Sequence, residues 1–219
     1  MSTTPAARPL RRDAERNRRR MLEAAAEVFA ERGLGVTMDD IAEHAGVGVG
    51  TVYRRFPQKE LLIEALFEER VGELVALAEE ALDADDPWQG LVDFLERAQA
   101  LQATNRGLKE LVLSTAHGRE RVSCVRERLG PLAEELVRRA QASGQMRQDI
   151  DGSDLPLVQV MLGAIVDVTR DVAPETWRRM LAIIVDGLRA REPHTPLPAP
   201  ALDTAQIDHA MRSWRPSPC

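Results

Sequence analysis

The sequence predicts an all-α protein of about nine helices. Apolar residues recur every three or four positions along most of the chain, as they do on one face of a helix. Glycine, proline and asparagine interrupt this pattern at intervals. No segment combines period-two alternation with the β-branched residues that are typical of strands. The 219 residues are enough for one or two compact domains with a core of their own.

The first predicted helix follows a basic segment. Residues 1–12 contain two prolines and three arginines, and we expect them to form a flexible arm. Helical periodicity begins near Asp13 and continues to Gly33, where a glycine favours the end of a helix.

Two short helices and a long one come next. Thr37 is a typical N-cap residue, and Gly46 ends the helix that Thr37 begins. A third helix begins near Val49 and closes before Pro57, because proline disfavours helical backbone in the residue before it. Lys59 begins a long helix that ends near residue 82.

The pattern remains helical up to the C-terminal tail. Five further helices are predicted, at residues 87–103, 105–117, 119–143, 153–171 and 174–191. From Pro193 the chain is rich in proline, so we expect residues 193–219 to be a flexible tail. The alternative is a short terminal helix with Ile207, Met211 and Trp214 on one face.

Charge is distributed unevenly along the chain. The net charge is −6, but the first 60 residues carry eleven Lys and Arg against nine Asp and Glu. The remainder carries 18 against 26. A basic front is compatible with a nucleic-acid partner, and a solvated basic tail would explain it equally well.

Several functional classes lack their signatures in this sequence. No apolar run approaches the roughly 18 residues of a membrane span, and the N-terminus has no apolar signal-peptide core. The two cysteines are far apart and form neither a CxxC pair nor a disulfide framework. The four histidines are scattered, and no HExxH, P-loop or GxSxG motif occurs. We therefore expect a cytoplasmic protein that is not an enzyme and has no cofactor, no metal and no catalytic residues.

Residues 37–56 show the helix-turn-helix pattern, in which two short helices are joined by a tight turn that contains glycine. The positions spaced to pack inward are Ile41, Ala42, Ala45, Val47, Val52 and Phe56. The positions left outside are Gly48, Val49, Gly50, Thr51, Tyr53, Arg54 and Arg55.

The outside positions have the chemistry of a DNA-binding helix. A major groove admits one α-helix, and small residues let its backbone approach closely. Hydroxyl groups can donate to phosphate, and arginine can bind either phosphate or guanine. Lys59 follows at a helix start, where free backbone N–H groups favour an anion. The stretch predicts a surface for double-stranded DNA, although Arg54 and Arg55 would also suit a solvated helix face.

The segment TMDDIAEHAGVGVGTVYRRFPQKELLIEAL, from Thr37 to Leu66, resembles the DNA-binding signature of the TetR family of bacterial transcriptional regulators. The resemblance covers roughly residues 17–66. It rests on an ordered set of residues: Thr37, Ile41-Ala42, Ala45-Gly46-Val47, Gly50-Thr51-Val52-Tyr53, Phe56 and Lys59-Glu60-Leu61. It implies an all-helical homodimer with a three-helix DNA-binding domain and a larger domain that binds a small-molecule effector.

The resemblance also implies an organisation into four parts. These are a basic arm (1–12), a helix-turn-helix DNA-binding domain (13–57), an effector-binding and dimerisation domain (58–192, with 58–82 as the linking helix) and a tail (193–219).

Individual roles follow from the same resemblance. The residues that would hold phosphates are Thr37, Thr51, Tyr53 and Lys59. Those that would face base edges are Val49, Gly50 and Arg55, with Arg54 near the DNA backbone. Gly48 departs from the serine or threonine that is frequent in the family, so one polar contact is missing. Base specificity would then depend largely on Arg55 and on DNA shape. Separately from the resemblance, the N-terminal arginines could reach phosphates or a minor groove, and Arg18, Arg19 and Arg20 lie closest to the folded helix.

The helices after residue 87 are expected to hold an effector pocket and a dimer interface. The pocket candidates are Trp88, Phe94, Leu101, Leu111, His117, Met161 and Leu162, each of which would equally serve as core. The dimer-interface candidates, taken from two broad apolar faces, are Ile165, Val168, Trp177, Leu181, Ile184 and Leu188. The absence of a polar cluster favours an apolar or aromatic effector.

These expectations combine into a ligand-responsive transcriptional regulator. Its simplest form is a repressor that binds a palindromic operator as a dimer and is released by a small-molecule effector. The alternative is a DNA-binding or architectural protein that does not respond to any ligand.

Overall fold

The computed structural model describes residues 7–103, 118–191 and 193–213. Regular secondary structure in these ranges is helical, apart from one isolated bridge between Met146 and Arg189. The α-helices described are α1 (Ala7–Arg32), α2 (Met38–Ala45), α3 (Val49–Arg55), α4 (Lys59–Leu82), α5 (Pro87–Ala103), α6 (Gly118–Ala142), α7 (Asp154–Thr169), α8 (Thr176–Leu188) and α9 (Thr204–Ser213). A short 3-10 helix (Gly33–Gly35) follows α1. The predicted all-α class is confirmed, while the helix predicted at 105–117 lies outside the described residues.

The chain divides into two compact units. The described residues of the first unit are 7–70, and the second unit begins at Val71, within α4. The first unit extends beyond the predicted domain end at residue 57, because Leu62, Ile63 and Leu66 of α4 are buried in its core.

The core of the first unit determines how its helices are oriented. Its buried side chains include Met21, Leu22 and Phe29 of α1 and Ile41 of α2. All inward positions predicted for the helix-turn-helix are buried, except Val47, which is partly buried against the same core. Burying an aliphatic or aromatic side chain stabilises a fold by about 1.5–3 kcal/mol. The core therefore fixes which side of each short helix faces outward.

The start of α1 differs from the expected flexible arm. The helix begins at Ala7 rather than near Asp13, so the prediction of an arm is wrong for residues 7–12. Pro9 lies in the first turn of the helix, where a missing backbone N–H leaves no hydrogen bond unmade. Pro9 is therefore compatible with a helix that begins at Ala7, although the sequence pattern predicted a start near Asp13.

The second unit is a helical bundle with its own apolar core. Helix α5 packs against α6, α7 and α8. The residues buried between them include Leu91 and Leu95 of α5, Leu136 of α6, Leu162 of α7 and Trp177 of α8. No helix in the described part of the chain is both long and apolar enough to cross a membrane.

The C-terminal segment is anchored to the second unit. Helix α9 packs on α6, and its Ile207 is buried. Arg147 binds the Asp149 carboxylate with two hydrogen bonds of 2.6 and 2.7 Å and donates a third, of 2.9 Å, to the carbonyl of Thr195. The hydrogen bonds from Arg147 lower the pKa of Asp149 from 3.8 to about 2. The described part of the tail thus contains a short terminal helix, as in the alternative prediction, and Arg147 supplies an anchor that the proline content does not reveal.

We expect Arg147→Ala to release this segment. The variant loses both bonds to Asp149 and the bond to the Thr195 carbonyl, so backbone amides of residues 193–213 should exchange hydrogen faster than in the wild type. Hydrogen exchange of the full chain, read by mass spectrometry, measures this. The matched control is Arg138→Ala, which removes an exposed pair with Glu135 within α6 and should leave 193–213 unchanged. Equal protection in the wild type and Arg147→Ala would contradict the anchor.

The same anchor gives a pH dependence with a defined sign. The pKa of Asp149 is depressed in the folded state, so the stability that its carboxylate contributes is present above pH 3.8 and is lost as pH falls through about 2. Residues 193–213 should therefore remain protected at mildly acidic pH. They should loosen only as the pH approaches that lower value.

Candidate DNA-binding surface

The start of α2 is held by a capping box. The Asp40 amide donates to Thr37 Oγ1 at 3.2 Å, and the Thr37 amide donates to Asp40 Oδ2 at 2.7 Å. The Thr37 hydroxyl also donates to Asp40 Oδ2, and these bonds lower the pKa of the Asp40 carboxyl. The two side chains thereby accept hydrogen bonds from backbone amides that have no partner within the helix. Thr37 caps α2 in this structure, and its predicted contact with a phosphate stays a prediction.

The turn between α2 and α3 depends on a left-handed glycine. Gly46 has a φ of 63°, which strains any residue with a side chain. Its amide donates to the Glu43 carbonyl at 3.1 Å, and the Val47 amide donates to the Ala42 carbonyl at 3.0 Å. These two bonds form a Schellman motif, which ends α2 and redirects the chain into α3.

Arg20 reinforces this turn from α1. Its Nη2 donates to the Ala45 carbonyl at 3.1 Å, in the last turn of α2. A guanidinium at a helix C-terminus also lies where the helix dipole favours a cation. Arg20 therefore has a contact inside the first unit, and its phosphate contact stays a prediction.

Helix α3 presents one face to solvent and buries the other. Val52 and Phe56 are buried in the core of the first unit. Tyr53 is 45% exposed and Val49 is 40% exposed. The remaining predicted outward positions are exposed, apart from Thr51, which is half-buried. The structure thus brings the predicted set from 48 to 55 together on one short helix and the residue before it.

The two arginines of α3 differ in their contacts. Arg54 folds back on its own helix, donating to the Gly50 carbonyl at 3.1 Å and to Thr51 Oγ1 at 3.3 Å. Arg55 and Tyr53 are exposed, and neither has a hydrogen bond or ion pair within the described residues. Arg55 and Tyr53 are therefore the polar side chains of α3 that do not hold the fold together through a hydrogen bond or an ion pair.

The glycines beside them leave open space. An added Cβ at Gly50 would meet nothing within 4 Å, and one at Gly48 would meet only Thr51 Oγ1, at 3.8 Å. Glycine in an exposed helix interior costs roughly 1 kcal/mol relative to alanine. Since packing requires glycine at neither position, both suit a surface that another molecule approaches closely. Gly48 precedes α3 without a side-chain cap, so the missing serine or threonine also removes a capping bond.

Lys59 is used differently from its predicted role. Its Nζ donates to the Val36 carbonyl at 2.5 Å and lies 5.7 Å from the centre of the Phe29 ring. The ammonium group therefore ties the start of α4 to the segment after α1. Its function at a phosphate stays a prediction, and its contacts in the structure give it a positioning role.

The effector-pocket candidates do not form one group. Trp88, Phe94 and Leu162 are buried in the core of the second unit, and Leu101 is half-buried. Met161 is 51% exposed, and its place in an effector pocket stays a prediction. Leu111 and His117 lie outside the described residues.

Sequence reasoning missed Gln99, which is fully buried in the second unit. A signal was present, because this polar residue follows Leu91 and Leu95 at helical spacing on the apolar side of α5.

The dimer-interface candidates also divide between core and surface. Trp177, Leu181 and Leu188 are buried in the core of their own unit, so their assignment to an interface is wrong. Ile165 and Ile184 are half-buried against the same core, and Val168 is 81% exposed. The large apolar residues exposed on α7 and α8 are Met161, Val168 and Ile183. Both sides of α8 carry apolar residues, and the pattern alone could not tell which side is buried.

The described residues contain no group of three His, Cys, Asp or Glu that could hold a metal ion.

A three-helix unit with an outward helix α3, followed by a helical bundle, is the architecture of a helix-turn-helix regulator.

Comparisons with known proteins agree with this class. The family model described as bacterial regulatory proteins, tetR family, matches residues 21–66. The model described as transcriptional regulator SbtR-like, C-terminal domain, matches residues 86–190. A solved TetR transcription regulatory protein from Mycobacterium vanbaalenii is 35% identical with a TM-score of 0.66, over 83% of this chain and 100% of that chain. The chain belongs to the TetR family, whose members are transcription regulators rather than enzymes.

Two further relatives show how far the similarity extends. The structure of the TetR transcriptional regulator SCO0520 from Streptomyces coelicolor is 28% identical with a TM-score of 0.63, over 78% of this chain and 98% of that chain. A curated HTH-type transcriptional regulator from Staphylococcus aureus is 36% identical over 84 residues, which is 37% of this chain and 44% of the relative. The chain therefore spans less than half the length of the curated relatives that it matches.

We expect Gly50→Ala to raise stability and to weaken DNA binding. Alanine should raise the free energy of unfolding by about 0.5–1 kcal/mol, since its Cβ meets no neighbour and its helix propensity is higher. The same methyl group would project from the outer surface of α3, which is predicted to face the major groove. Urea unfolding and DNA titration of the same variant measure the two effects. Gly72→Ala, another helical glycine with open space around it, is the control that should leave DNA affinity unchanged. Unchanged DNA affinity in Gly50→Ala would contradict a close approach at this position.

Proposed function

We propose that the chain is a transcriptional regulator that binds double-stranded DNA through the outer face of α3. The observation that carries this proposal is the exposed set Val49, Gly50, Tyr53 and Arg55, held outward by the burial of Val52 and Phe56. A rigid helix with a basic, hydroxyl-bearing and sterically small surface suits the major groove.

The proposed roles follow from the contacts of each side chain. Arg55 makes no hydrogen bond or ion pair within the described residues. In the proposal it binds a base edge, with guanine as the preferred partner. The Tyr53 hydroxyl donates to a phosphate oxygen, and Val49 offers apolar contact to a thymine methyl group. Arg54 and Thr51, already hydrogen-bonded to each other, contact the DNA backbone as a pair. Thr37 and Lys59 position α2 and α4 relative to the core of the first unit.

We also propose that a second copy of the chain covers the exposed apolar residues of the second unit. Met161 and Val168 are seven residues apart on α7 and so share one face. Ile183 is exposed on α8, and Gly187, one turn later, has open space where a side chain would be. Close helix contact through small residues fits a two-fold interface in which the same surface is used twice. A two-fold dimer would present two copies of α3 to a palindromic operator.

The regulatory mechanism that fits this arrangement is repression relieved by a small-molecule effector. DNA favours one separation of the two recognition helices. An effector bound to the second unit that favours another separation lowers DNA affinity by its differential affinity for the two states. The match of residues 86–190 to an SbtR-like C-terminal domain supports this assignment of the second unit. Such a regulator works in the cytoplasm, where it meets the operator.

Selection of bound sequences from a random DNA library, at a fixed salt concentration, tests the DNA-binding proposal. We expect an enriched palindrome. Arg55→Ala should lose preference at one base pair in each half-site, at a cost of about 1–3 kcal/mol in binding free energy for that site. The matched control is Arg54→Ala, which should weaken binding to all sequences by a similar factor. Salt-sensitive binding with no enriched motif would contradict a sequence-specific regulator and favour a ligand-blind architectural protein.

Val168→Asp tests the proposed dimer. A carboxylate at this position should leave the monomer fold unchanged, because the side chain is exposed, and should dissociate the dimer by burying unpaired charges against each other. Sedimentation equilibrium over a range of protein concentrations measures the mass. Leu61→Asp, at an exposed apolar residue of α4 in the first unit, is the control that should remain dimeric. A Val168→Asp variant with the same mass as the wild type would exclude this face as the interface.

A further inference from the structure

The buried amide of Gln99 has no hydrogen-bonding partner in the part of the chain that the structure describes. Gln99 is 0% exposed, and no other polar or charged residue is buried in the described part of the chain. Neither Nε2 nor Oε1 makes a hydrogen bond. Buried amides are nearly always hydrogen-bonded, because an amide removed from water without a partner loses the bonds that water supplied. An orphaned donor and acceptor on one side chain therefore require an explanation.

Two neighbouring amides show that Gln99 faces α7. Gln102, three residues later on the same side of α5, donates from Nε2 to Gln159 Oε1 at 3.2 Å. Gln159 donates in turn from Nε2 to the Leu95 carbonyl at 3.1 Å, one turn before Gln99. Gln102 and Gln159 are thus satisfied by groups on the facing helices. Gln99 lies between these bonds along α5 and takes part in neither.

The buried residues near Gln99 along α5, and those near Gln159 along α7, are apolar. Leu95 and Ala98 of α5 and Val158 and Leu162 of α7 are all buried and belong to the core of the second unit. No Asp, Glu, Lys, Arg or His is buried within the described residues. A charged molecule would meet no counter-charge there and would lose its hydration, which disfavours it strongly.

We propose that Gln99 is the hydrogen-bonding group of the effector site, and that the effector is an uncharged, largely apolar molecule with one amide-like group. A ligand carbonyl accepts from Nε2, and a ligand N–H donates to Oε1, so that one planar group satisfies both orphaned atoms. The apolar remainder of the ligand packs against the leucine and valine side chains of α5 and α7. This inference rests on the proposed effector binding and adds the chemical class of the effector.

The test uses the full chain and para-alkylbenzamides of increasing alkyl length as probes. Each benzamide is compared with the acetophenone and the benzoate that carry the same alkyl group. The ketone has about the same shape as the amide but only an acceptor, and the benzoate is charged. Titration calorimetry should show the benzamide binding roughly three- to tenfold more tightly than the ketone, as expected for one additional hydrogen bond. The benzoate should bind more weakly than both.

Gln99→Met, which keeps the length of the side chain and removes its polar atoms, tests the role of the amide. The preference for benzamide over acetophenone should disappear in this variant. Its melting temperature without ligand should equal or exceed that of the wild type, since the orphaned groups are gone. Gln89→Met, at an exposed glutamine of the same helix, is the control that should keep the preference.

Three results would overturn the proposal. They are a preference for benzamide that survives in Gln99→Met, a fall in melting temperature that points to a structural or water-mediated bond of the amide, and the absence of binding by every probe. DNA titration of the same samples without probe separates this inference from the proposed function. A wild type that does not bind DNA would contradict the regulator, whereas the calorimetric comparison decides the role of Gln99.

Discussion

The burial of Val52 and Phe56 is the constraint on which the first unit depends. These two side chains fix the rotation of α3 about its axis, so that Gly50, Tyr53 and Arg55 face outward. The helix has seven residues and makes few hydrogen bonds of its own, so its stability comes from packing rather than from helix propensity. Any substitution that loosens this packing would also disturb the spacing of the outward side chains.

Several polar groups support this packing through contacts inside the first unit. The Gly46 turn and the capping box of α2 fix the two ends of that helix. Arg20 and Lys59 each donate to a backbone carbonyl more than twenty residues away in sequence. Arg20 and Lys59 thus make contacts inside the first unit, whereas Arg55 is exposed and makes none within the described residues. For this reason the proposed base contact is assigned to Arg55.

The sequence predicted the helix-turn-helix well because its signal is local. Helical spacing within residues 41–56 separates inward from outward positions, and the core confirms the inward set. Contacts between distant residues could not be predicted in the same way. The carbonyl partner of Lys59, the buried side of α8 and the anchoring of residues 193–213 by Arg147 all depend on which helices meet in space. A pattern with apolar residues on two sides, as in α8, leaves that choice open.

Amide hydrogen exchange of the full chain, with and without a selected DNA duplex, tests most directly whether α3 is the recognition helix. The selected duplex should slow hydrogen exchange in residues 48–55 and in adjacent residues of the first unit. A scrambled duplex at the same salt concentration should have a smaller effect. Protection confined to other parts of the chain, or equal protection by both duplexes, would contradict the central claim that the outer face of α3 reads DNA sequence.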